Sequence, residues 1–244
     1  MRPDSLYITT SWDDGHPLDF RLAELLAKYR IPATFYVPIQ NERPVLKAHE
    51  IRALSDEFEI GGHTMTHCDL RKIPMSAARR EIGDCRKALE NITGKPCSSF
   101  CFPMGRFRRQ HLSTVRDAGF HVARTVELMS MEAPQMTEGV VLMPTSLQAL
   151  QTTPSALIRN ALKRGRVGNL LRYFMLQKES WVESSRALLE NAASGGVFHL
   201  WGHSWEIEEF GQWKNLEGIF ASIAEYHGRA VFGTNAELGA RMSR

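Results

Sequence analysis

Two adjacent carboxylates, Asp13 and Asp14, close an apolar run from Leu6 to Trp12 and are followed at once by Gly15. Like charges side by side repel. The pair is tolerated where a cation neutralises it, or where one acid binds a metal while the other handles a proton. Farther along, Gly61-Gly62-His63-Thr64-Met65-Thr66-His67 sets two imidazoles four residues apart. That spacing predicts a helical turn with both rings on one side, able to chelate one ion. One carboxylate and two histidines make three protein ligands, which leaves the open coordination position that a catalytic metal requires. Read alone, the acidic pair is a solvated turn and the histidine pair a polar helix face; their occurrence together points to a catalytic metal centre with one acid to spare.

A second cluster follows Gly195-Gly196, in Val197-Phe198-His199-Leu200-Trp201-Gly202-His203-Ser204-Trp205-Glu206. In a strand, residues two apart share a face, so His199, Trp201 and His203 line one side with His203 nearest the C-terminal end. His203 is the candidate general acid for a leaving amine or alkoxide. His199 as the acid, with His203 binding substrate, is the alternative. Glu206 follows His203 at a distance suited to orienting it or to touching substrate. Trp201, Trp205 and Trp213 form an aromatic cluster of the kind that packs on sugar rings, although a core role accounts for at least one of them.

The elements that must position these groups alternate. After the first strand, Leu18, Leu22, Leu25 and Leu26 recur at helical spacing, and Ala33 to Val37 forms a second strand. A helix around Leu46 to Leu54, a strand from Phe58 to Gly61 and a helix burying Ala78, Ile82, Cys85 and Leu89 continue the rhythm. Strands at Ser99 to Phe102, His121 to Arg124, Val140 to Met143 and Ala230 to Thr234 complete it, with helices around Leu112 to Ala118 and Trp213 to Tyr226. Such alternation predicts an α/β fold, a distorted barrel of seven or eight mostly parallel strands. Residues 146–193 read as a helical insertion, with Thr153-Pro154 as a helix start, Leu157, Ile158, Ala161 and Leu162 on one face and Trp181, Ser185, Leu188 and Ala192 on another. Within it, Lys163 to Arg166 reads as a solvated basic loop, and Leu170, Leu171, Tyr173, Phe174 and Met175 as core or subunit interface.

A chain of 244 residues with 43% hydrophobic and 23% charged residues suits one domain spanning 1–244. A net charge of +3, with the basic residues scattered, argues against nucleic acid. No apolar run is long enough to span a membrane. The first strand follows Met-Arg-Pro-Asp-Ser directly, so no leader is expected and a cytoplasmic location is. Cys68, Cys85, Cys97 and Cys101 lack the spacing of a zinc or redox motif and are expected as reduced thiols. Oligomeric state leaves no trace in the sequence.

These motifs and their order resemble the polysaccharide deacetylase family, metal-dependent carbohydrate esterases with the NodB-homology domain (carbohydrate esterase family 4). Ser11-Trp12-Asp13-Asp14-Gly15, His63 to His67, the Phe102-Pro103-Met104-Gly105 turn and the late histidine strand carry the resemblance. It implies Asp14, His63 and His67 as ligands of a divalent ion, zinc first, with Co2+, Ni2+ or Mn2+ as alternatives. It also implies Asp13 as the base, a backbone N–H of Met104 in an oxyanion hole, and His203 as the acid; Pro103, His199, Trp201, Trp205 and Glu206 are then candidate substrate contacts. The activity implied is removal of an acetyl group from an N- or O-acetylated sugar or glycan. The alternatives are deformylation or hydrolysis of a lipid-linked amino sugar or non-carbohydrate amide, an inert sugar-binding homologue, and Fe(II) oxygenase chemistry on the same ligand triad. One departure stands out: many members of that family carry an arginine two residues before the proline to orient the base, and here Cys101 occupies that place. Either Arg106 or another cation reaches Asp13 from elsewhere, or the base works without that pairing; the sequence does not decide between them.

Overall fold

The structure, a computed structural model, describes residues 5–242 except 151, 152, 154, 156, 157, 160, 161, 163–166, 177 and 179. Its centre is a sheet of ten strands: β1 (Leu6–Asp13), β2 (Ala33–Val37), β3 (Glu59–Gly62), β4 (Ser99–Cys101), β5 (Val122–Arg124), β6 (Gln135–Thr137), β7 (Val140–Met143), β8 (Leu147–Gln148), β9 (Gly196–Gly202) and β10 (Val231–Phe232). The order is β6-β7-β5-β4-β3-β2-β1-β9-β8, with β10 alongside β1. Every pairing is parallel except β6 with β7. The chain segment that begins as β7 beside β5 continues through Pro144 into β8 beside β9, which curls the sheet back on itself as a distorted barrel. The count exceeds the expected seven or eight because β6 and β8, three and two residues long, carry no period by which a strand could be read.

The helical reading of 146–193 is corrected at its start. Ser146 N–H donates to the His199 carbonyl and Ala149 N–H to that of Trp201, so backbone pairing claims residues 147 and 148 for the sheet. Helices Val167–Leu176 and Trp181–Ala192 follow, the second burying Trp181, Ser185, Leu188 and Ala192. Leu171, Phe174 and Met175 are exposed rather than core. Pro154, Leu157, Ala161, Lys163 to Arg166 and the side chains of Leu170 and Tyr173 lie outside the described ones.

Alternation along the strands gives the barrel two unlike faces. Leu6, Ile8 and Trp12 of β1 pack outward with α1 (Asp19–Lys28), α2 (Ala48–Leu54), α3 (Met75–Thr93) and the helix Trp213–Ala224 in the main apolar core. Tyr7, Val122, Val141, Met143, Val197 and Leu238 form a separate apolar layer within the barrel. The rest of the interior face is largely polar. Thr9 and Tyr36 bond the side chain of Asn235, while Thr34 and Ser99 bond Glu59. A polar interior is stable only when its groups are paired, as these are. The four residues predicted for the buried face of α3 are its four buried residues. Among the described residues no helix is long and apolar enough to cross a membrane.

Close approach at β3 fixes one residue type. A Cβ at Gly61 would lie 2.5 Å from the Tyr36 ring and 2.8 Å from Ser99 Oγ, both interior groups. Gly61→Ala is expected to destabilise the fold by about 1–3 kcal/mol through overpacking. A fall in the urea or thermal midpoint checks this, and an unchanged midpoint would mean that the Tyr36 ring yields freely.

Candidate active site

The chemistry-bearing residues leave the C-terminal ends of parallel strands, the usual place for a site in such sheets. Asp13 is the last residue of β1; His63 follows β3, Cys101 ends β4, Arg124 ends β5 and His203 follows β9. Backbone strain concentrates there. Asp14, Thr64, His67 and Met104 all adopt positive φ, at 78°, 67°, 52° and 57°. Such conformations cost of order 1–3 kcal/mol each and persist only where the surroundings enforce them.

Asp14, His63 and His67 come together. Asp14 Oδ1 lies 3.7 Å from His63 Nε2 and 3.2 Å from His67 Nε2, and the three donor atoms fall within 4.8 Å of one another. The segment that delivers the histidines is a loop, not the helical turn their spacing suggested, because Thr64 and His67 are left-handed. Glu81 of α3 holds this loop, accepting from Thr66 N–H at 2.9 Å and Thr66 Oγ1 at 3.0 Å.

The donor set fits a divalent cation. His63 Nδ1 lies 2.8 Å from the Cys101 carbonyl, an acceptor only, so that nitrogen carries the hydrogen and Nε2 presents its lone pair toward Asp14. Burial, with His67 nearby, outweighs the acids and lowers the His63 pKa to about 4, so the ring is neutral as a ligand must be. Asp14 Oδ1 is buried without a hydrogen-bond partner among the described residues. Its other oxygen accepts from Trp205 Nε1 at 2.9 Å.

Asp13 pairs with Arg124, which grips both of its carboxylate oxygens in an ion pair buried on both sides, and one of its oxygens lies within 4.8 Å of a His63 nitrogen. The guanidinium carbon sits 5.5 Å from the Tyr36 ring centroid and 4.6 Å from that of Trp201. Burial acts to raise the Asp13 pKa, but the charge of Arg124, with His63 and His203 beyond, outweighs it and holds the carboxyl below its usual value. Arg124 and Cys101 are direct neighbours in the β4–β5 register. The cation missing at Cys101 is therefore supplied from the next strand, whereas Arg106 reaches Asp69 instead. Cys101 Sγ lies 3.7 Å from Asp13 Oδ2, and burial pushes its thiol far up, so it is no nucleophile. All four cysteines are free.

His203 Nδ1 donates to Glu206 Oε2 at 2.6 Å, its Nε2 stands 3.9 Å from Asp14 Oδ2, and Gln148 Nε2 supports the same Glu206 oxygen at 2.9 Å. Burial opposes charge on His203, yet the hydrogen bond and charge of Glu206, with Asp13 and Asp14, raise its pKa. Glu206→Gln removes the dominant raising influence and leaves burial, so the basic limb of the kcat/KM profile is expected to move to lower pH. An unmoved limb would separate it from His203.

Several expected substrate contacts are corrected. His199 is fully buried; Nδ1 donates to the Pro144 carbonyl and Nε2 accepts from Ser11 Oγ, each at 2.8 Å, so neither ring nitrogen is available. Burial lowers its pKa to about 3. Trp201 is buried with its ring over Arg124, and Pro103 is buried within the turn. Trp213 packs in the core. Trp205 stays beside the site, with the Arg43 guanidinium 3.6 Å over its ring, and Met104 is exposed at the turn. Arg124, Glu81 and Gln148 were not singled out in the sequence; only Arg124 left a signal there, as a charge ending a short buried strand.

Known proteins resemble this chain in sequence and in fold. A family model described as "Polysaccharide deacetylase" matches residues 2–123, half of the chain. A chitooligosaccharide deacetylase of Rhizobium leguminosarum bv. phaseoli is 33% identical over 88 residues, covering 35% of this chain and 38% of that protein, so the chain aligns with well under half of that relative's length. Among solved structures, a Mycobacterium smegmatis protein classed with the polysaccharide deacetylases superposes with a TM-score of 0.72 at 16% identity, over 99% of this chain and 91% of that one. The chitin deacetylase of Colletotrichum lindemuthianum gives 0.63 at 15% identity, over 95% and 86%. The fold, the order of the motifs and the profile match converge on one assignment: this chain belongs to the polysaccharide deacetylase family.

Proposed function

We propose that the protein is a metal-dependent hydrolase that removes an acetyl group from an N- or O-acetylated sugar or glycan. The observation that carries this reading is the convergence of Asp14, His63 and His67 on one point, with a second, cation-held acid, Asp13, beside it. A divalent cation bound by those three residues would polarise the acyl oxygen and make water acidic enough to lose a proton near neutral pH.

The chain's own residues do the rest. Asp13, kept ionised by Arg124, accepts the proton of the attacking water. The Met104 backbone, turned outward by its positive φ, offers an N–H to the negative charge developing on the acyl oxygen. A methionine suffices there because a backbone donor needs no particular side chain. His203, charged through Glu206, gives its proton to the departing nitrogen or oxygen. Trp205, one face of which Arg43 covers, offers an indole rim that a sugar ring would meet once Arg43 moves aside. A cavity of about 270 Å³ lies past the end of β5, lined by Phe107, Thr125, Glu127 and Pro144 among others, and none of the metal, base or acid candidates lines it.

Acetate release from acetylated chitooligosaccharides, measured beside lipid-linked formamido sugars and cyclic imides, tests the reading. The expected result is acetate release that a chelator abolishes and zinc restores. Turnover confined to the formamido sugar or the imide would replace the acetyl assignment, and tight sugar binding with no turnover would make the protein a binding homologue.

A further inference from the structure

Behind the site lies a carboxyl group that none of the roles above employs. Asp19, the first residue of α1, is fully buried, and neither of its carboxylate oxygens has a hydrogen-bond partner among the described residues. The hydroxyl of Ser204 is equally enclosed and also unpartnered. The two groups lie near enough to interact, although no formed hydrogen bond joins them in this structure. Ser204 sits between His203, which bonds Glu206, and Trp205, whose indole N–H holds Asp14 Oδ2. A single tie at Ser204 would therefore act on the proposed acid and on a proposed metal ligand together.

We propose that Asp19 is a positioning residue that hydrogen-bonds Ser204 and so locks the His203–Glu206 turn against the start of α1. The inference rests on the hydrolase reading for its effect on turnover, though not for its structural content. An ionised Asp19 would be a buried, unpaired anion near Asp14 and Asp13, a costly state. Burial and those two acids both favour the protonated form, and its pKa stands well above that of an ordinary carboxyl. A protonated carboxyl donates through its hydroxyl and accepts through its carbonyl, so it complements a serine in either direction. Nothing in this role requires negative charge.

That last point separates the proposal from its rivals. Asp19→Asn keeps size, donor and acceptor, while Asp19→Ala and Ser204→Ala break the tie. The Asn variant is expected to stay within about threefold of wild-type kcat/KM, since it exchanges one neutral hydrogen bond for another. The Ala variants are expected to lose up to about 100-fold, mostly in kcat, through misplacement of His203. In spectra of the intact chain, the His203 ring and Trp205 indole resonances should move in both Ala variants and hold in the Asn variant. An infrared protonated-carboxyl band at neutral pH should vanish in Asp19→Asn. Absence of that band, or an Asn variant as impaired as Ala, would overturn the proposal. Should the protein hydrolyse no acyl group at all, the hydrolase reading fails, while the resonances and the infrared band still decide the role of Asp19.

Discussion

Asp13→Asn is expected to lower kcat by about 10²–10⁴-fold, the range typical of losing a positioned proton acceptor, while affinity for a divalent cation stays within a few-fold of wild type. The asymmetry follows from where the two acids point. Asp14 Oδ1 faces the histidine nitrogens, whereas both Asp13 oxygens face Arg124. An amide at position 13 still accepts one hydrogen bond from the guanidinium through its oxygen but leaves Arg124 as an unpaired buried charge, so stability falls as well and the kinetic loss is read on the folded protein. Steady-state kinetics with a metal titration on the same variant check this. Equal losses of metal and turnover would place Asp13 among the ligands.

Arg124→Met should be the more damaging change for the fold. It leaves Asp13 as an unpaired buried charge, and breaking one side of a buried pair costs about 3–5 kcal/mol. In the variant that folds, the sign of the pH effect is fixed. With Arg124 present the Asp13 pKa is held down; without it burial dominates, the pKa rises, and the acidic limb of kcat/KM moves to higher pH. Cys101→Arg in the same background supplies a cation from the adjacent strand position, so it is expected to return part of both stability and the acidic limb. Failure of every Cys101→Arg double variant to recover either quantity, with the fold intact, would mean that Arg124 acts through its packing between Tyr36 and Trp201 rather than through its charge.

The contrast between Arg124 and the histidine pair shows what a sequence discloses. His63 and His67 are near neighbours in the chain, and their ligand character is visible from type and spacing even though the helical turn inferred from that spacing is absent. Left-handed backbone at Thr64 and His67 is imposed by contacts to Glu81 and Gln40, which no local pattern encodes. Arg124 meets Asp13 across 111 residues, through a strand register that only the assembled sheet sets. The position of the missing arginine was legible at Cys101; the strand that replaces it was not.

The same distinction runs through the fold. Long amphipathic elements such as α3, with Ala78, Ile82, Cys85 and Leu89 inward, are read from periodicity because the buried face repeats. β8, only two residues long, has no period to read and exists because β9 offers free backbone groups beside it. His199 misleads for a related reason. Its alternation with Trp201 and His203 puts it on the interior face, as expected, but depth along the strand sets its role: at His199 the barrel is closed by Ser11 and Pro144, and at His203 it is not.

The account stands on a single cation site formed by Asp14, His63 and His67, and calorimetric titration of the chelator-treated protein with zinc tests it most directly. The expected result is one equivalent bound by the wild-type chain, with affinity reduced more than about 100-fold in each of Asp14→Ala, His63→Ala and His67→Ala, beyond the loss typical of an outer-shell partner. Wild-type affinity in those three variants, or no binding by the wild-type chain, would contradict it.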